Sequence, residues 1–122
     1  MIAREFRIRR ESEFERVRAR GKSWSSRTLV LIALPNDGET NRYGFAAGKR
    51  LGNAVARNRA KRLMREAVRG LHPRLRQGFD IVLIARNSVD AQTTAANIAS
   101  DLERVAGRAR LLATPDDVGV SA

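Results

Sequence analysis

Residues 49–69, KRLGNAVARNRAKRLMREAVR, leave little freedom to whatever folds around them. Gly52 and Asn53 read as a helix start and Gly70 with Pro73 as its stop, about five turns apart. Wound at about 100° per residue, Ala56, Ala60, Leu63, Met64, Ala67 and Leu71 form one stripe roughly 100° wide, the usual width of a core-facing surface. Half of that stripe is alanine, so the helix is expected to lie close against a sheet, over the small residues Ala46 and Gly48. On the opposite side Asn58, Arg62, Arg65 and Arg69 fall within roughly 60° of one another. Arg57 and Lys61 flank them on one edge and Arg59 on the other, and Glu66 is the only acid in the run. One face demands a sheet and the other a polyanion.

The flanking segments supply the sheet. Leu29 to Leu34 (LVLIAL) is an apolar run of strand length, followed by turn chemistry at Pro35, Asn36, Asp37 and Gly38. Arg42 to Gly48 (RYGFAAG) alternates bulky and small residues, so one face of that strand carries Tyr43 and Phe45 and the other admits a close approach. Phe79 to Arg86 (FDIVLIAR) is a second apolar strand, and strand, basic helix and strand together make a βαβ unit with parallel strands. Upstream, Ser12 and Glu15 have capping-box spacing and open a short helix with Phe14 and Val17 on one side, Arg16, Arg18 and Arg20 on the other, and a close at Gly21. Phe14 is either a core anchor or a ligand contact. Trp24 to Arg27 is a short strand or an extended lead-in, and a last helix over Thr94 to Leu112 carries Ile98, Leu102, Val105, Ala109 and Leu112 at helical spacing. The arginine-studded first residues are expected to stay mobile until an anion orders them, and 113–122 to form a flexible tail. Residues 1–122 make one domain, with its core over about 4–112.

The net charge of +11 is directional. Residues 1–27 carry +5, 28–48 carry −1, 49–76 carry +9 and the remainder −2. Like charges one helical turn apart cost a few tenths of a kcal/mol per pair, which a solvated helix avoids by mixing signs. Polyanion binding explains the cost. Arginine makes up 21 of the 24 basic residues, and its planar fork grips phosphate and stacks on bases, which suits RNA. There is no cysteine, which fits a reducing cytoplasm, and no apolar stretch of membrane-spanning or signal-peptide length.

Gly44, Lys49, Gly52-Asn53-Ala54-Val55, Arg57-Asn58-Arg59, Lys61-Arg62, Arg65-Glu66 and Arg69 together resemble the RNR signature of the bacterial ribonuclease P protein subunit. With Phe14, Gly21 and Arg27 upstream, the resemblance spans roughly residues 4 to 112. It implies a single compact α/β (α+β) domain of order α-β-β-β-α-β-α, with a four-stranded sheet and a left-handed βαβ crossover against the usual hand, the ribosomal protein S5 domain 2-like fold. It further implies an accessory subunit of an endoribonuclease that matures tRNA 5′ ends. Its partners would be the catalytic RNA and the single-stranded 5′ leader of precursor tRNA, with a monomeric protein in a 1:1 complex with the RNA and no membrane. Lys49, Arg50, Asn53, Arg57, Asn58, Arg59, Lys61, Arg62, Arg65 and Arg69 would be RNA-facing. Phe14, Arg18, Arg27, Ile32 and Tyr43 would lie at the leader cleft. Where the family often places two further aromatics, this chain has Arg18 and Ile32, so base stacking there would pass to guanidinium or backbone contacts.

No protein catalytic site emerges. His72, the only histidine, reads as a solvated residue beside a helix-ending proline. Asp37 and Asp80 show no metal-site spacing, so no metal or cofactor is expected on the protein, and by resemblance the Mg²⁺ ions belong to the RNA. Two alternatives stay open on the residues alone: a general RNA-binding protein of ribosomal type, and a metal nuclease built on Asp37 and Asp80.

Overall fold

In the computed structural model, which describes residues 6–113, the apolar runs become strands and the periodic segments helices. The order is α1 (Glu11–Arg20), β1 (Lys22–Ser25), β2 (Leu29–Pro35), β3 (Arg42–Ala47), α2 (Ala54–Leu71), β4 (Phe79–Ala85) and α3 (Ala95–Arg108). This is the expected α-β-β-β-α-β-α. The strands form one mixed sheet in the order β1-β2-β4-β3, in which β3 and β4 are parallel, as a βαβ crossover requires, and the other pairs antiparallel. The expected tail beyond Ala113 and the first five residues lie outside the described residues.

Strand alternation divides the sheet into two faces. One face carries Leu29, Leu31, Ala33, Tyr43, Ile81, Leu83 and Ala85, which form the main core with Ala60, Met64, Ala67 and Val68 of α2 and Ile98, Leu102 and Val105 of α3. The other carries three rows across β2, β4 and β3: Leu34–Asp80–Arg42, Ile32–Val82–Gly44 and Val30–Ile84–Ala46. α1 lies on this second face, with Val17 buried against Ile32 and Val82.

Several boundaries and faces differ from expectation. α2 packs over Tyr43, Phe45 and Ala47, not over Ala46 and Gly48; its alanines make room for aromatic bulk on the facing strand. Gly44 serves α1 instead, since a Cβ there would stand 2.7 Å from the Phe14 ring. Val68 joins the buried stripe and Ala56 and Leu63 are only half-buried, because α2 packs on α3 as well as on the sheet. Gly70 lies inside α2, which runs to Leu71 before a 3₁₀ turn containing Pro73. α1 begins at Glu11 with Arg10 in the cap position, so Ser12 caps nothing. The buried Ile8, whose N–H donates to the Tyr43 carbonyl at 2.7 Å, fixes the chain just ahead of that turn. A reciprocal capping box forms instead at Thr94 and Asn97. α3 stops at Arg108 because Arg110 turns left-handed (φ 58°), and Leu112 bridges to Leu75.

Candidate nucleic-acid interface

A buried carboxylate seats α1. Asp80 has no exposed surface, and its oxygens accept from Arg42 Nε (3.0 Å) and Nη2 (2.8 Å), Arg16 Nη2 (2.9 Å) and Asn36 Nδ2 (3.0 Å). Burial pushes this carboxyl up, but the Arg42 and Asn36 hydrogen bonds and the charges of Arg42 and Arg16 outweigh it and hold it below its ordinary value. Arg42 also reaches Glu13 at 2.7 Å, whose own pKa that hydrogen bond lowers. Two α1 side chains are thereby tied to the first row of the sheet. Gly44 and Gly21 let the helix settle on the second row: a Cβ on Gly21 would stand 2.6 Å from the Val17 carbonyl and 2.8 Å from Ile32. The third row, Val30, Ile84 and Ala46, is left part-exposed, with Val30 and Ile84 packed against the cluster under α1.

The cationic face of α2 starts at Asn53, whose Oδ1 accepts the Ala56 N–H at 2.9 Å after Gly52 turns at φ 150°. Asn58, Arg62 and Arg69 are exposed, as are Lys49, Arg50 and Asn53 ahead of the helix. Arg57, Lys61 and Arg65 are half-buried. The Arg65 guanidinium lies 5.9 Å from the Phe45 ring centroid. Its pKa is lowered by burial and by the neighbouring charges of Arg7 and Arg62, and an anion placed among these three would offset their repulsion. Arg59 has another duty, donating to the carbonyls of Asp90 (2.9 Å) and Thr93 (2.7 Å) and bracing the loop after β4. Arg69 pairs with Glu66 at 2.7 Å.

The N-terminal segment, expected to be mobile, contributes to the site from residue 6 onward. Arg7 bridges to Tyr43 along the free edge of β3, extending the sheet. A groove of about 330 Å³ runs along this edge, lined by Arg7, Arg9 and Phe14 on one side and Asn58, Lys61 and Arg65 on the other. It joins the α1 side of the sheet to the α2 face. Arg7, Arg9 and Phe45 are not among the expected contacts; the polar-apolar alternation Arg7-Ile8-Arg9 is the signal that could have marked an edge segment.

The expected cleft residues do not all converge. Phe14 is half-buried at the groove and Arg18 is exposed on α1, 3.8 Å from Glu15. Arg27 lines a separate polar pocket with Ser88, Asp90 and Asn97. Ile32 is 8% exposed, covered by α1. Tyr43 lines the groove with Phe14 but is only 1% exposed, its ring turned to the other face, where its hydroxyl meets His72 Nδ1 at 2.7 Å; burial pushes the phenol up to about 12. Neither Ile32 nor Tyr43 offers a surface to a stacked base. His72 is likewise not the solvated residue expected: it is half-buried, its ring centroid 5.2 Å from Phe6, and burial lowers its pKa. Asp37 is exposed in a turn and Asp80 is already neutralised by two arginines, so the pair makes no cation site. Among the described residues no cluster of three acidic, histidine or cysteine side chains could hold a metal, and no helix is long and apolar enough to cross a membrane.

The family model named Ribonuclease P matches residues 2–110. The chain belongs to the ribonuclease P protein family. It is 40% identical over 115 residues to the ribonuclease P protein component of Roseiflexus sp. (strain RS-1), covering 94% of each chain. It is 50% identical over 84 residues to that of Symbiobacterium thermophilum, covering 68% of this chain and 73% of the relative. The solved RNase P protein of Staphylococcus aureus superposes with a TM-score of 0.78 at 31% identity, over 88% of this chain and 98% of that one. That of Thermotoga maritima gives 0.76 at 27%, over 84% and 96%. The family places the chain in tRNA processing, and the residues that the family model matches, 2–110, include both α1 and α2.

Proposed function

We propose that this chain is the protein subunit that holds ribonuclease P RNA on its α2 face and the single-stranded 5′ leader of precursor tRNA in the cleft beside α1. The observation that carries the reading is the groove at the β3 edge, which joins Phe14 to Asn58, Lys61 and Arg65 and so makes one continuous path from cleft to cationic helix. Arg62 and Arg65, with Arg7, supply phosphate contacts; Lys49, Arg50, Asn53 and Asn58 extend the surface around the helix start; Arg57 and Lys61 line its edge. Arg59 acts mainly as a brace. Phe14 and Arg18 supply stacking surfaces, in place of the aromatics found in relatives.

Phosphodiester cleavage belongs in this reading to the RNA, whose Mg²⁺ ions would supply the nucleophile and stabilise the leaving oxygen. The protein's part is to position substrate and screen phosphate repulsion between two RNAs, as one monomer per RNA in the cytoplasm. The test is reconstitution at low Mg²⁺. Protein alone should leave precursor tRNA intact, and protein with the RNA subunit should restore 5′ maturation. Cleavage by protein alone, or no stimulation of the RNA, would overturn the reading; selective recovery of ribosomal RNA would favour a structural RNA-binding role.

A further inference from the structure

A second cationic site lies across the sheet from α2. β1 is the edge strand opposite β3, and between it and the C-terminal end of α3 opens a pocket of about 480 Å³. Its apolar floor is Trp24, Phe79 and Leu111. The register places Trp24 and Lys22 on the same face of β1, opposite Leu31 and Ala33. Around the rim stand Arg20, Lys22, Arg108 and Arg110, all exposed, and among the described residues lining it none is acidic.

The walls are fixed rather than adaptable. Arg108 Nη1 donates to the Ser25 carbonyl at 2.9 Å, fastening α3 to the edge of β1. The segment after α3 is held by the Arg76 N–H to the Leu111 carbonyl and the Ala113 N–H to the Arg74 carbonyl, each 2.7 Å. An aromatic floor ringed by cations matches a base with its phosphates, since stacking is worth about 1–3 kcal/mol per base and tolerates any sequence. An acidic peptide would satisfy the rim but leave the indole without a partner. Strands lie about 4.8 Å apart, so three strand spacings separate this edge from that of β3, and the phosphates held by α2 cannot also be held here.

We propose that the Trp24 pocket binds one nucleotide of a single-stranded RNA segment, its base against the indole and its phosphates on Arg20, Lys22 and Arg110. The inference rests on the chain being an RNA binder but not on the leader cleft. Trp24 is the only tryptophan in the chain, so its fluorescence reports this pocket alone. Titration of the full chain with a short oligouridylate at low salt should quench it. The double variant Arg20→Glu/Lys22→Glu should raise the half-saturating concentration about tenfold or more, as expected for two lost phosphate contacts, whereas Arg62→Ala/Arg65→Ala should leave it within about twofold. Arg110→Gly is a second variant that removes a rim charge while suiting the left-handed backbone (φ 58°), and it should weaken quenching as well. No quenching, equal quenching by oligoglutamate, or quenching that is lost in Arg62→Ala/Arg65→Ala and kept in Arg20→Glu/Lys22→Glu would overturn the proposal. Repeating the titration with ribonuclease P RNA already bound separates two sources of the strand: blocked quenching means that the catalytic RNA fills the pocket, and retained quenching that a substrate segment does. Failure of reconstitution with intact quenching would fault the subunit assignment and leave the pocket standing.

Discussion

Asp80→Asn isolates the clamp that seats α1. The substitution keeps the shape of the side chain but removes the charge and turns one acceptor into a donor facing a guanidinium. Removing one member of a buried ion pair costs about 3–5 kcal/mol. Arg42 and Arg16 are, however, 31% and 43% exposed and can recover some hydration, and Arg42 keeps Glu13, so we expect about 2–4 kcal/mol. Against a total stability of about 5–15 kcal/mol this is a large share. For a domain of this size it lowers the melting midpoint by on the order of 10 °C. The acid limb gives a second signature. Because the folded pKa of Asp80 lies below its ordinary 3.8, its stabilisation is complete above that value and is lost as pH falls through the lower folded value. Thermal melts of both proteins from neutral to acid pH measure the two effects together. The midpoints should differ most near neutrality and converge in acid. A difference of under about 2 °C at neutral pH, or one that does not narrow in acid, would refute the clamp.

Four further outcomes follow. Arg62→Ala and Arg65→Ala should each weaken binding to ribonuclease P RNA and reduce the slope of log K against log salt by about 0.7–0.9, one phosphate contact apiece; an unchanged slope with an intact fold means that the wrong face was assigned. Gly21→Ala should cost about 1–3 kcal/mol or more, because its Cβ meets two backbone carbonyls at 2.6 and 2.9 Å, whereas Gly70→Ala, with nothing within 4 Å on an exposed helical turn, should stabilise by about 0.4–1 kcal/mol in the same urea titration. His72 has a folded pKa below its ordinary 6.5, so the unfolded chain takes up its proton first and stability should fall as pH drops from 6.5 through the lower folded value; His72→Gln should remove that limb, seen as a flatter midpoint-against-pH curve. Phe14→Ala should lose about 1–3 kcal/mol of affinity for a single-stranded leader, whereas Ile32→Val should cost about 0.5–1.5 kcal/mol of stability and leave leader affinity unchanged, as titrations of labelled leader against melts would report.

Most elements were legible locally: LVLIAL and FDIVLIA are short apolar runs of strand length, and Asn53 ahead of the amphipathic run is a favoured helix cap, though the start of α1 and the ends of α2 and α3 were not. What sequence could not give was which face of the sheet each helix takes. The alternation of Tyr43, Gly44, Phe45 and Ala46 separates two faces without saying which meets alanine. Close packing on small residues was a sound local inference, but it was satisfied by complementarity of the other kind, small helix residues against large strand residues. The same ignorance of faces hid that Tyr43, although it lines the groove, turns its ring to the other side of the sheet. Asp80 reads as a polar strand start until Arg16 and Arg42, 64 and 38 residues away, are folded onto it. His72 looks solvated until Phe6 and Tyr43 cover it.

The missing aromatics take on a different meaning once α1 is in place. A large ring at position 32 would have to share the space where α1 turns at Gly21, since Ile32 already stands 2.8 Å from where a Cβ there would be. An isoleucine fills this space and lets Val17 seat beside it, while Val30, Ile84 and Ala46 remain a part-exposed row of the same face. Aliphatic side chains there offer shape but no π-face and no hydrogen bonds to base edges. In the proposed reading, base contact would then fall on Phe14 and Arg18, and the pull on the strand would come from the charges along the groove. In that reading, affinity for the strand comes mainly from its phosphates. It follows that leader binding here should depend steeply on salt and weakly on base identity.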